Sequence, residues 1–192
     1  MGVFCINVCY IIFVKKKLSN IILNVIHILF GIILFFTPFV FDSKSLFLFT
    51  TSKTLFFIYF CEIIVILFIL LIFLDYEHRP KKNYVLCCFF IFVLLNIISS
   101  AFGASPCFSF WSSSFRADGV ILLIHIFLFF LIFISTINSK KVLNRFVLVS
   151  IFASFFITLF SFLGIIGIKG VNIPYLFTSE GLLGIDSYTA VY

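Results

Sequence analysis

Five stretches of this chain stay apolar for about the width of a membrane, with short polar or basic connections between them: Leu18–Phe41, Thr54–Phe73, Tyr84–Phe102, Val120–Ile137 and Phe146–Ile168. A helix needs ~20 mostly apolar residues to cross the hydrocarbon core, and each stretch is of that order. Their many Ile, Val and Phe residues would favour strands in water. In lipid the backbone must satisfy itself, and these runs are far longer than barrel strands and lack their alternating polarity. The expected fold class is all-α: a polytopic transmembrane helical bundle of five spans, with the beginning of a sixth.

The two ends of the sequence read differently from the middle. Met1–Val14 is a shorter apolar run followed by Lys15, Lys16 and Lys17. Its basic residues follow the apolar run instead of preceding it, the reverse of a signal peptide. It could be an interfacial segment, an upstream start-site artefact or a short span, and the reading adopted is a non-spanning extension at 1–17. The membrane domain then covers 18–187. Within it, Gly170–Pro174 opens a polar stretch, and Tyr188–Tyr192 turns apolar again. A few apolar residues cannot cross a membrane, so the expectation is a truncated sequence that stops as a further span begins. No internal repeat is visible.

Counting Lys and Arg orients the spans, since basic connections stay on the cytoplasmic side. Lys15–Lys17, the 74–83 connection (Arg79, Lys81, Lys82) and the 138–145 connection (Lys140, Lys141, Arg145) carry nine. The alternating connections carry only Lys44, Lys53, Arg116 and Lys169, which completes the 13. The loops around Trp111 and Gly184 therefore face away from the cytoplasm.

Composition excludes most other classes. The 192 residues are 64% hydrophobic and 10% charged, whereas soluble domains average roughly 45–50% apolar and about 25% charged. A soluble enzyme or a disordered regulator would need more polar residues. The net charge of +6 comes from basic residues scattered between apolar runs, not from a stripe that would bind nucleic acid. The 32 Phe, beside abundant Ile, Lys, Asn and Ser, are residues of A/T-rich codons, so part of the Phe excess reflects genome composition. Of the six cysteines, Cys5, Cys9, Cys61, Cys87 and Cys88 lie in apolar runs and only Cys107 in a polar loop. They read as small buried hydrophobes, not as a disulfide framework.

A few polar residues stand out against this background. Glu62 is the one carboxylate inside a span, and intramembrane acids need a partner. At ~1.5 Å per residue it lies roughly 12 Å below the outer face, with Asn96 and His125 at roughly 9 Å. The three are a candidate intramembrane cluster, read first as a hydrogen bond between helices and second as a proton site. His27 reads as a packing histidine. Arg79-Pro80-Lys81-Lys82 reads as a topology determinant and a site for anionic headgroups. In the third connection Trp111, among Phe108, Phe110 and Phe115, reads as an interfacial belt or an aromatic wall. Arg116 reads as a snorkelling anchor or as a guanidinium fork for a lipid diphosphate. Asp118 reads as a cap on the fourth span or as an orienter of Arg116. No Gly-rich phosphate loop, metal-ligand spacing, catalytic Ser/His/Asp set or nucleotide fingerprint appears, so no metal or cofactor is expected.

The third connection has a recognisable order. Phe102-Gly103, Pro106, Ser109-Phe110-Trp111, Arg116, Gly119, Leu123 and His125 fit the phrase F-G-x-x-P-x-x-S-F-W-x-x-x-x-R-x-x-G-x-x-x-L-x-H. This resembles the bacterial O-antigen ligase and polymerase family of membrane glycosyltransferases. Thr37-Pro38-Phe39-Val40, Thr51-Ser52-Lys53 before Glu62, and Arg79-Pro80-Lys81-Lys82 follow the same order. Gly181–Ala190 is similar to the family phrase T-L-G-N-P-N-Y-x-A, but reads Ile185-Asp186-Ser187 at its core. The resemblance runs from Leu18 to the end and implies the N-terminal half of a multi-pass inner (plasma) membrane transferase. Its substrate would be a polyprenyl-diphosphate-linked oligosaccharide, used without metal or other cofactor in cell-envelope polysaccharide assembly. Besides membrane lipid, the implied partner is that glycan, and nucleic acid is not one. The family's essential outward loops lie beyond about six spans, so no catalytic residue carries over to this chain. Arg116, Trp111 and Asp118 remain the candidate substrate contacts. The competing readings are a transporter or flippase fragment, which calls for interrupted helices or paired halves, and a catalytically silent membrane scaffold.

Overall fold

The computed structural model describes residues 2–40, 50–80, 83–112, 119–137 and 139–166. These form six α-helices, with no strand among the described residues: α1 (Gly2–Phe36), α2 (Thr50–Leu74), α3 (Tyr84–Ala101), α4 (Pro106–Trp111), α5 (Val120–Thr136) and α6 (Lys140–Ile166). Four segments are long and apolar enough to cross a membrane: Val14–Phe39, Thr51–Leu74, Tyr84–Ala101 and Lys140–Phe160. α5 is a shorter apolar helix of 17 residues. At ~1.5 Å per residue it reaches roughly 25 Å, near the lower limit for a span. The chain is an all-α helical membrane protein.

Two boundaries differ from the hydropathy pattern. The Lys-rich segment at 15–17 lies inside a helix, because α1 runs unbroken through 35 residues. Lys is a good helix former, and the first proline comes only at Pro38. The 138–145 connection is also mostly helix. Ser139 starts α6, its Oγ accepting a hydrogen bond from the Val142 N–H at 3.3 Å, as N-cap serines do. Lys140, Lys141 and Arg145 therefore ride on the first two turns of α6. Of the remaining sequence features, Lys81, Lys82, the Gly181–Ala190 phrase and the apolar end 188–192 lie outside the described residues.

α1 lies between two of the other long helices. It packs against α2 and α6, α2 packs also against α5, and α3 and α4 pack on α5. The core takes one stripe from each helix: Ile26, Phe30 and Ile33 from α1, Ile64, Phe68 and Leu71 from α2, Ile132 from α5 and Phe146 from α6. The spacing of three and four residues within α1 and α2 places each set on one face. Lipid chains are as apolar as these side chains, so packing shape, not expulsion of water, holds the helices together. Phe30 is fully buried, and its ring meets Phe129, Phe133 and Phe146 edge-on at 4.7, 5.4 and 6.0 Å. Aromatic pairs favour this geometry. α3 is peripheral: Val93 is its one buried residue, and Phe89 and Phe90 attach it to Phe127 of α5.

Polar contacts set the register at one end. Ser19 Oγ donates to Asp75 Oδ2 at 3.3 Å, joining the start of the α1 span to the end of α2. His78 Nε2 stands 4.0 Å from the same oxygen. His27 Nε2 donates to the Thr136 carbonyl at 3.3 Å, which ties the last turn of α5 to α1. α6 runs parallel to α1, shown by the ascending pairs His27–Phe146, Phe35–Phe156 and Phe39–Phe160. Lys15–Lys17, Arg79 and the cations of α6 thus share one end of the bundle, and Trp111 and Gly119 lie at the other.

Candidate functional site

The turn at the Trp111 end is built by short-range geometry. Asn96, five residues from the α3 end, donates its amide to the Phe92 carbonyl of its own helix at 2.8 Å. α3 stops at Ala101, and Pro106 begins the single turn and a half of α4. Proline suits that position because a first-turn N–H has no helical partner to lose. Ser109 Oγ bonds back to the Ser105 carbonyl at 3.2 Å. The helix then ends at Ser112, whose φ of 65° and ψ of −176° fall in a region occupied almost only by glycine, at about 1–3 kcal/mol for other residues. The turn leaves Phe102, Phe108 and Trp111 exposed.

Gly119 closes this turn. A Cβ built there would collide with the carbonyl carbon and oxygen of Phe110 and with the amide nitrogen of Ser112. The backbone that opens α5 therefore lies directly on the last turn of α4. Arg116 and Asp118 lie outside the described residues. The N-cap of α5 is Gly119, with no side-chain cap.

Little more than one turn into α5, His125 faces α2. Its Nδ1 donates to the Ile121 carbonyl at 2.7 Å, which leaves Nε2 turned to Glu62 Oε1 at 3.8 Å. In the neutral ring Nε2 is then an acceptor and pairs with Glu62 only when the carboxyl carries the proton, whereas in the imidazolium it is a donor to the carboxylate. The His125 side chain is 16% exposed and that of Glu62 58%, so the carboxylate sits on the rim of the α2–α5 seam. Just beside it Cys61 Sγ donates to the His125 carbonyl at 3.3 Å. The structure thus brings Glu62 and His125 together, while the Asn96 amide is engaged on its own helix. Among the described residues no group of three His, Cys, Asp or Glu could hold a metal.

The Ser19–Asp75–His78 contact had no signal in hydropathy. Ser19 and His78 are both buried. The one hint was an acid and a histidine at i, i+3 just past an apolar run, and their junction with Ser19 depends on how α1 packs against α2. His27, read as a packing residue, does pack on Phe146 but also holds the end of α5. A cavity of about 730 Å³ between α3 and α5, lined by Tyr84, Cys87 and Phe127 among others, is apolar and lies toward the basic end. It adds nothing to the Trp111 turn. In comparisons with known proteins, no family model, curated protein or solved structure matches this chain.

Proposed function

We propose that the chain is the N-terminal membrane half of a glycosyltransferase of the O-antigen ligase or polymerase type. It resides in the inner (plasma) membrane and acts on polyprenyl-diphosphate-linked oligosaccharide. The observation that carries this reading is the contact of Gly119 with the backbone of Phe110 and Ser112. It gives a physical reason for the glycine of the Ser-Phe-Trp…Arg…Gly phrase: the parts of the phrase that precede and follow Arg116 in sequence, Phe110–Ser112 and Gly119, meet. The guanidinium would take two diphosphate oxygens through parallel N–H bonds. Trp111 and Phe108, both exposed, would lie along the first isoprenoid units.

Photo-crosslinking tests the placement. A diazirine-bearing polyprenyl diphosphate should label α4 around Trp111 well above the equally apolar and more exposed Tyr84 at the opposite end of α3. Equal labelling at both places would mean that the probe reports lipid exposure alone, and the reading would fail.

A further inference from the structure

The cytoplasmic-side end, as the Lys and Arg count assigns it, contains a cleft between α1 and α6. It has a volume of about 500 Å³, with Asn24, His27 and Arg145 on its polar side and Ile28, Gly31 and Val149 on its apolar side. A Cβ added at Gly31 meets nothing within 4 Å, so the cleft is open beside that turn of α1. We propose that it is a binding site for one anionic glycerophospholipid, with the phosphate at Arg145 and an acyl chain along Ile28, Gly31 and Val149.

Charge selects the occupant. Neither α1 nor α6 contains an Asp or Glu, whereas together they carry Lys15, Lys16, Lys17, Lys140, Lys141 and Arg145. Among the described residues Arg145 pairs with no carboxylate, and the nearby Asp75 is engaged with Ser19 and His78. Lys140 and Lys141 occupy the first turn of α6, where the helix dipole already adds positive charge and an anion is favoured.

Depth selects a lipid over a free anion. The end of α5 is held at His27, and His27 lies ten residues, or roughly 15 Å along α1, beyond Lys17. The α5–α6 turn is thus recessed from the Lys15–Lys17 level, and its cations sit beside apolar wall. A headgroup with chains attached satisfies both surfaces, and basic pockets between helices on this side of a membrane take such headgroups.

The test is native mass spectrometry of the full chain in detergent with equal amounts of phosphatidylglycerol and phosphatidylethanolamine. Wild type should retain phosphatidylglycerol preferentially. Arg145→Gln should weaken that adduct about fivefold, the usual contribution of one cation near a membrane surface. Gly31→Leu, which fills the open space, should remove it while leaving the protein folded. Lys53→Gln, which removes a cation in the first turn of α2 at the opposite end of the bundle, should leave it intact. Equal retention of both lipids by wild type, an adduct that survives Gly31→Leu, or equal losses in Arg145→Gln and Lys53→Gln would overturn the proposal. Phosphate added as the free ion should not displace the lipid, and displacement would make this a simple anion site. The result is independent of the glycosyltransferase reading, since it concerns the opposite end of the bundle.

Discussion

Gly119 and Phe110 are in backbone contact, with no room for a side chain between them. That one approach joins the last turn of α4 to the first of α5. Gly119→Ala must push the Phe110 peptide away, and backbone cannot yield as a flexible side chain can. The expected loss is about 1–3 kcal/mol, typical of overpacking. Gly31→Ala is the internal control, since its Cβ meets nothing and alanine is the better helix former by about 0.5–1 kcal/mol. Thermal unfolding in detergent should rank the variants Gly31→Ala, wild type, Gly119→Ala from most to least stable.

Phe30 is where four helices come closest to sharing one side chain, because its ring lies against both α5 and α6 while its neighbours on α1 pack on α2. Phe30→Ala should destabilise by about 3–5 kcal/mol through the cavity it leaves. Phe92→Ala, on the exposed face of α3, should change stability by under about 0.5 kcal/mol. Denaturant titration in mixed micelles measures both. Similar losses at the two positions would mean that Phe30 is not part of the core.

Glu62 and His125 join α2 to α5 across 3.8 Å with one partner half exposed. The contribution should be modest, since polar pairs in membranes average ~0.6 kcal/mol of coupling. Glu62→Gln keeps a polar partner for Nε2 and should be mild, whereas Glu62→Leu strands it and should be worse. A double-mutant cycle of Glu62→Leu with His125→Leu should return a positive coupling of that size. Zero coupling would leave the two residues as neighbours without an interaction.

Most of the helices could be read from the chain, because in lipid the length of an apolar run decides and propensity matters little. Helix ends were harder. Lys140, Lys141 and Arg145 look like loop by charge, yet Ser139 caps a helix that contains them. The candidate site divides in the same way. Counting residues from span ends puts Glu62, Asn96 and His125 at similar depths, but depth says nothing about which way each helix is turned. Glu62 and His125 face one another, and Asn96 bonds to its own helix. Ser19, Asp75 and His78 meet only through the packing of α1 on α2. The part played by Gly119 was likewise invisible, since a close backbone approach leaves no mark in composition.

The proposed function requires Arg116 to hold the diphosphate of the lipid-linked oligosaccharide. Transfer from a polyprenyl-diphosphate-linked oligosaccharide, assayed in membranes with matched protein levels, is the measurement that decides it. Arg116→Ala should abolish transfer, and Arg116→Lys should impair it substantially, because lysine keeps the charge but loses the fork. An arginine that merely snorkels to headgroups would tolerate lysine almost fully. Wild-type transfer by Arg116→Ala would contradict the proposed function and leave Arg116 as a topological anchor.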